Sequence, residues 1–272
     1  MKIFFSNIAF ILLVLTTTGA PAQVTSAPFT VPAESTIPSD PRGDAILKGK
    51  ALLTNTAALL PDNVGNGLNC TNCHLKGGTV QSASPWVGLW GVFPEYRSRS
   101  AKVIDLSERI NDCFERSMNG KPLSYTSDEM IAMLSYIQWL STGVPTGYSV
   151  VGRGFEELDR KFAPNAASGK VLYLAKCVAC HGADGEGIKD PKGGYVFPPL
   201  WGNQSFNDGA GMARTFTAAA FIKHNMPLGQ EGSLTDQEAI DIAQFFTHQP
   251  RPEYPEKAGD WPNGGKPIDA RN

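Results

Sequence analysis

A chain of 272 residues with 42% hydrophobic residues holds enough apolar material for one or two soluble cores, and is not a disordered polymer. Its formal net charge of −2, from 24 basic and 26 acidic side chains, excludes the basic excess of a nucleic-acid binder. The balance is too even to point to a charged partner.

The N-terminus reads as a signal peptide. Lys2 supplies a short positive region, Ile8 to Leu15 an apolar run, and Ala20-Pro21-Ala22 a small-x-small cleavage pattern. Cleavage before Gln23 assigns residues 1–22 to export and places the mature protein in the periplasm. No later segment approaches the roughly 18 uninterrupted apolar residues of a membrane span, so none is expected in the mature chain. Residues 23–42 are rich in Pro, Ser, Thr and Ala and read as an irregular N-terminal arm.

Two similar units follow, over residues 43–146 and 166–250, with a Gly-containing linker over 147–165. Their landmarks repeat. Gly49-Lys50 opens the first unit and Gly169-Lys170 the second. His181 follows His74 by 107 residues, and Thr235 follows Thr126 by 109. Thr126-x-x-Glu129 and Thr235-x-x-Glu238 both read as capping boxes ahead of an apolar-periodic helix. Met130, Met133, Leu134 and Ile137 share a face in the first helix, and Ala239, Ile242, Ala243 and Phe246 in the second. Each unit thus reads as helix, cysteine motif, long loop, final helix. Alternating strand patterns are scarce, so the expected class is all-α, with two tandem domains and extended loops. Residues 251–272, with Pro at 252, 255, 262 and 267, read as a tail lying on the surface or flexible.

Cys70-Thr71-Asn72-Cys73-His74 and Cys177-Val178-Ala179-Cys180-His181 both match Cys-x-x-Cys-His, the attachment motif of c-type haem. Residues three and four apart share a helical face, so two cysteines can form thioethers while the adjacent histidine reaches the iron. With five cysteines and four histidines in the chain, two such motifs at a repeat offset are not coincidence. A zinc site or a redox dithiol would not need the adjacent histidine twice. Two covalently bound haem c groups are therefore expected, giving two tandem cytochrome c domains.

The opposite ligand decides what each haem does. In the second unit Met226, in Asn225-Met226-Pro227, is the distal candidate and His224 its rival. In the first, repeat symmetry selects Met118. Cys113, the cysteine outside the two motifs, competes with it; a buried inert thiol is the alternative for that residue. Sequence spacing alone leaves the two open. Arg109 and Ser117 lie four residues either side of Cys113, so a helix would put all three on one face. Arg99 and Arg109 are suited to binding oxyanions, but Glu95, Asp105, Glu108, Asp112 and Glu115 among them are equally compatible with a solvated face.

The run Arg109-Ile110-Asn111-Asp112-Cys113-Phe114-Glu115-Arg116-Ser117-Met118-Asn119-Gly120 between two haem motifs resembles the dihaem thiosulfate dehydrogenases. These are related to the cytochrome subunit that loads thiosulfate onto a carrier in bacterial sulfur oxidation. The resemblance implies that His74 and Cys113 coordinate a catalytic haem 1, and that His181 and Met226 coordinate a relay haem 2. It implies that Arg99, Arg109 and Ser117 lie near the substrate. The activity it implies is oxidation of two thiosulfates to tetrathionate, possible in either direction. Electrons would leave to a soluble acceptor such as a cytochrome c or a high-potential electron carrier. Some relatives carry Lys before the distal Met; here it is Asn225, so exchange between Lys and Met at haem 2 is not expected. The alternative is a non-enzymatic dihaem electron carrier with Met118 and Met226 as distal ligands.

Overall fold

The computed structural model describes residues 26–189 and 194–271. The expected signal peptide, residues 1–22, lies outside them. The first half contains α1 (Pro41–Thr54), α2 (Thr56–Leu59), α3 (Leu75–Gly78), α4 (Leu106–Arg116) and α5 (Asp128–Leu140). The second contains α6 (Ala166–Lys176), α7 (Val178–His181), α8 (Thr215–Asn225) and α9 (Asp236–Thr247). Strands among the described residues are two or three residues long: β1 (Ser26–Ala27), β2 (Glu95–Arg97), β3 (Lys102–Ile104), β4 (Ser149–Val150), β5 (Ile188–Lys189) and β6 (Tyr195–Phe197). Each belongs to a two-stranded pair, so the helices carry the architecture. Among the described residues no helix is long and apolar enough to cross a membrane.

In each half the first and last helices pack together, α1 on α5 and α6 on α9. The repeated glycines explain the contact. A Cβ at Gly49 would stand 2.0 Å from the Ala132 carbonyl oxygen, and one at Gly169 would stand 1.9 Å from that of Asp241. Only glycine lets the two backbones meet so closely. On α5, Met130, Met133, Ile137 and Leu140 are fully buried; on α9, Ala239, Ile242, Ala243 and Phe246 are buried. Each large side chain among them contributes about 1.5–3 kcal/mol over leaving it in water.

One cap departs from the sequence reading. The Thr235–Glu238 capping box forms as expected. At α5, however, the N-cap is Ser127, whose hydroxyl accepts from the Met130 amide. Thr126 lies one residue outside, its hydroxyl 3.4 Å from that of Ser124. Glu129 pairs with Lys48 on α1 instead of reaching back to the cap. Both Thr126 and Ser127 are competent cap residues, and the register of the apolar face against α1 decides between them.

The connecting segments hold the halves together. The N-terminal arm pairs in parallel with the linker, Ser26 with Ser149 and Ala27 with Val150. The linker carbonyls of Gly152 and Gly154 accept from the amides of Ser82 and Ser84, each at 2.8 Å. The tail is anchored, with Tyr254 and Trp261 buried. Its Asp260 makes a two-pronged ion pair with Arg116 at the end of α4, at 2.7 and 2.9 Å. Arg116 also stacks on Tyr254. The open C-terminal carbonyls of α4 are capped by the second half: Asn207 donates its backbone amide to Arg116 and its side-chain amide to Glu115.

Candidate haem and substrate site

A cavity of about 670 Å³ lies in the first half against the second. Cys70, Cys73, His74, Cys113, Ser117 and Met118 all line it. Cys70 and Cys73 stand at the two ends of a 3₁₀ turn, across which the Asn69 amide donates to the Asn72 side-chain oxygen at 2.7 Å, while the Asn69 side chain accepts from the Ala57 amide at 3.0 Å. Burial pushes both thiols up to about 12, so they stay neutral.

His74 is held from behind. Its Nδ1–H donates to the Ser84 carbonyl at 2.6 Å, and its ring stacks on Trp86 at 4.8 Å. Trp86 in turn meets Tyr136, whose hydroxyl donates to the Gly77 carbonyl. Burial lowers the His74 pKa to about 4, so the imidazole is neutral at pH 7. A neutral imidazole with Nδ1–H anchored leaves the Nε2 lone pair free to bind a metal, the arrangement of a metal-ligating histidine.

Helix α4 faces this wall. Its N-cap Asp105 accepts from the Glu108 amide. Leu106, Asn111 and Phe114 are buried on one side. The Asn111 amide bonds both the N–H and the C=O of Leu123, which fixes the rotation of the helix. That rotation sends Arg109, Cys113 and Ser117 to the cavity, one turn apart, as the spacing predicted. The Cys113 sulfur is the chief influence that raises the Arg109 pKa. Met118 also lines the cavity, at 3% exposure, so Cys113 and Met118 both remain at hand there.

Arg99 is placed differently. It lines a small cleft behind the cavity, with Asp260, Trp261 and Arg214. Its guanidinium donates to the Gly209 carbonyl at 2.6 Å, approaches Asp260 at 3.8 Å and stacks on Trp261. Burial, then Arg116, lowers its pKa to about 10. Four arginines outside the sequence expectation line the cavity instead: Arg97, Arg153, Arg160 and Arg214. No local motif marks them; they converge only on folding.

The second half repeats the proximal arrangement. His181 is buried, and its Nδ1 bonds the Pro198 carbonyl at 2.9 Å. Burial lowers its pKa. Cys177 caps the junction of α6 and α7, and Tyr173 is buried beside it, donating its hydroxyl to the Gly182 carbonyl. Met226 stands at the end of α8, half-buried against the apolar core, as is Cys177. His224 turns toward the linker, 3.7 Å from the Glu156 carboxylate. Paired cysteines, an anchored neutral histidine in each half and a large cavity at the first motif together fit covalently held haem.

Comparison with known proteins agrees in both halves. Residues 62–146 match the SoxA/TsdA cytochrome c domain family and residues 166–249 match cytochrome c. The chain is 53% identical over 241 residues to a thiosulfate dehydrogenase of Psychrobacter arcticus, covering 89% of this chain and 74% of the relative. It is 50% identical over 235 residues to a thiosulfate dehydrogenase of Allochromatium vinosum, covering 85% and 87% respectively. The solved thiosulfate dehydrogenase TsdBA of Marichromatium purpuratum superposes with a TM-score of 0.83 at 37% identity. That match covers 89% of this chain and 54% of the other, so this chain spans about half of the solved one.

Proposed function

The chain belongs to the thiosulfate dehydrogenase family, and we propose that it oxidises two thiosulfates to one tetrathionate in the periplasm. Its cofactors are two covalently bound haem c groups. Cys70 and Cys73 would hold haem 1 with His74 and Cys113 as ligands, and Cys177 and Cys180 would hold haem 2 with His181 and Met226. The haems, when bound, accept electrons one at a time and pass them outward.

The single observation that carries the reading is the face of α4, where Arg109, Cys113 and Ser117 open together on the cavity that His74 lines. Arg109 offers a charged fork for the sulfonate end of thiosulfate. Ser117 offers a hydroxyl one turn beyond the cysteine. The outer sulfur of a thiosulfate so held lies toward Cys113. In the first step the Cys113 thiolate and one thiosulfate form a sulfur–sulfur bond and release two electrons. In the second step another thiosulfate attacks the sulfur bonded to Cys113. Tetrathionate leaves and the thiolate returns; no proton is gained or lost. The same groups serve the reverse direction. The two bound haems would take up these electrons, and a soluble acceptor, a cytochrome c or a high-potential electron carrier, would receive them.

The test is an anaerobic assay of the purified dihaem protein with thiosulfate and ferricyanide, followed by detection of tetrathionate. Product formed in half the molar amount of thiosulfate consumed supports the reading. No product removes it and leaves a two-haem carrier.

A further inference from the structure

A guanidinium of the second half enters the cavity of the first. Arg214 stands at the N-cap of α8, and it lines the cavity with Cys113 and Arg109. Its Nε is buried with no hydrogen-bond acceptor among the described residues. The neighbouring arginines are better supplied: Arg97 and Arg153 both bond Glu95, and Arg160 lies near Glu157 and over the Phe216 ring. The charges that act on Arg214 are Asp269, which attracts it, and Arg160, Arg97 and Arg109, which repel it. The attraction is divided, because Asp269 accepts the Phe216 amide at 2.8 Å. Burial and the three like charges lower the pKa of Arg214. A cation in such a place is stable when an anion meets it.

Arg109 has only a long contact to a carboxylate among the described residues, Asp112 at 4.0 Å. Arg99 is occupied by Gly209, Asp260 and Trp261. The second step of the proposed reaction brings a thiosulfate dianion up to the sulfonate anion already bonded through sulfur to Cys113. One arginine on α4 offsets only part of that repulsion, and a second cation facing it is what the chemistry requires.

We propose that Arg214 is a substrate-binding residue that holds the sulfonate group of the second thiosulfate, completing with Arg109 an anion clamp built from both halves of the chain. The proposal rests on the thiosulfate reading above. It makes the two halves one active site: the second half supplies part of the site as well as the second haem.

The test uses the dihaem protein with R214Q and R214K. R214Q is expected to lower kcat/KM for thiosulfate by about 10- to 100-fold, chiefly through KM, as loss of a charge-assisted hydrogen bond would. Haem content and the reduction potentials of both haems should stay as in wild type. R214K keeps the charge but not the planar fork, and an intermediate KM is expected; it also serves should R214Q fold poorly. Added guanidinium ion should restore part of the lost activity. An unchanged KM in both variants overturns the proposal. So does a shifted haem 1 potential at unchanged KM, which would assign Arg214 to a haem propionate. Wild-type protein that makes no tetrathionate defeats the functional reading itself; active wild type with indifferent variants defeats this inference alone.

Discussion

The side-chain amide of Asn225 donates a 3.0 Å hydrogen bond to the carbonyl of Ser82, joining the residue before Met226 to the loop that anchors His74. Asn225 is buried and also donates to the Phe221 carbonyl. Ser84, two residues beyond Ser82, carries the carbonyl that holds the His74 ring. One short path of backbone and side chain therefore links the proximal loop of the first half to the proposed distal ligand of the second. Asn225→Leu fills the space but removes the donor, leaving the Ser82 carbonyl buried and unpaired. The expected cost is about 1–3 kcal/mol in thermal or denaturant unfolding. A variant as stable as wild type would show that the link is not structural.

The glycines at the two helix crossings admit no side chain. Gly49→Ala and Gly169→Ala each press a methyl group into a backbone carbonyl. Each should cost about 1–3 kcal/mol or more by overpacking, seen as a lowered melting temperature and reduced haem loading. Neither touches the cavity residues, so a variant that does load haem should keep the wild-type KM.

Cys113→Ala should abolish thiosulfate turnover while both haems stay attached, because the four motif cysteines are untouched. The haem 1 potential should rise, since a thiolate ligand pushes electron density to iron. Mass spectrometry checks attachment, and redox titration the potential. Electron paramagnetic resonance of the ferric wild type should carry the low-spin signature of thiolate ligation. Full activity in Cys113→Ala would rule out the catalytic cysteine.

Asp260 supports the site from the tail. Its carboxylate is 6% exposed and bonds Arg116, itself 12% exposed. Asp260→Ala leaves that arginine without its counter-charge, at an expected cost of about 3 kcal/mol. Arg99 loses one partner but keeps Gly209 and Trp261 outside the cavity, so KM for thiosulfate should hold in the variant that stays folded. Urea unfolding and steady-state kinetics check the two expectations.

The cap of α9 gives a pH-dependent contribution. Glu238 accepts from the Thr235 amide at 2.8 Å and from its hydroxyl at 3.0 Å, and the amide bond is the main cause of its lowered pKa. A carboxylate with a depressed folded pKa stabilises the fold above its unfolded pKa, about 4.3, and loses that stabilisation as pH falls through the folded value. The side chain is partly exposed and screened by water, so the effect is about a few tenths of a kcal/mol. Glu238→Gln should melt slightly below wild type at neutral pH, and the gap should close near pH ~3. A gap independent of pH would contradict the charge-based account.

What the amino-acid sequence determined by itself is local. The two haem motifs are five-residue units, the Thr235 capping box spans four residues, and Arg109, Cys113 and Ser117 share a face because helical spacing makes them share it. The repeated glycines were visible as landmarks, although their reason, a backbone crossing, was not. Tertiary structure alone decided the rest. It drew Arg99 behind the cavity onto Gly209 and Asp260, brought Arg214 into the cavity, and folded the Pro-rich tail against α4. It also chose Ser127 over Thr126 as the cap, through the packing of α5 on α1. These outcomes depend on contacts between residues far apart in the chain, and such contacts leave no periodicity or spacing to read.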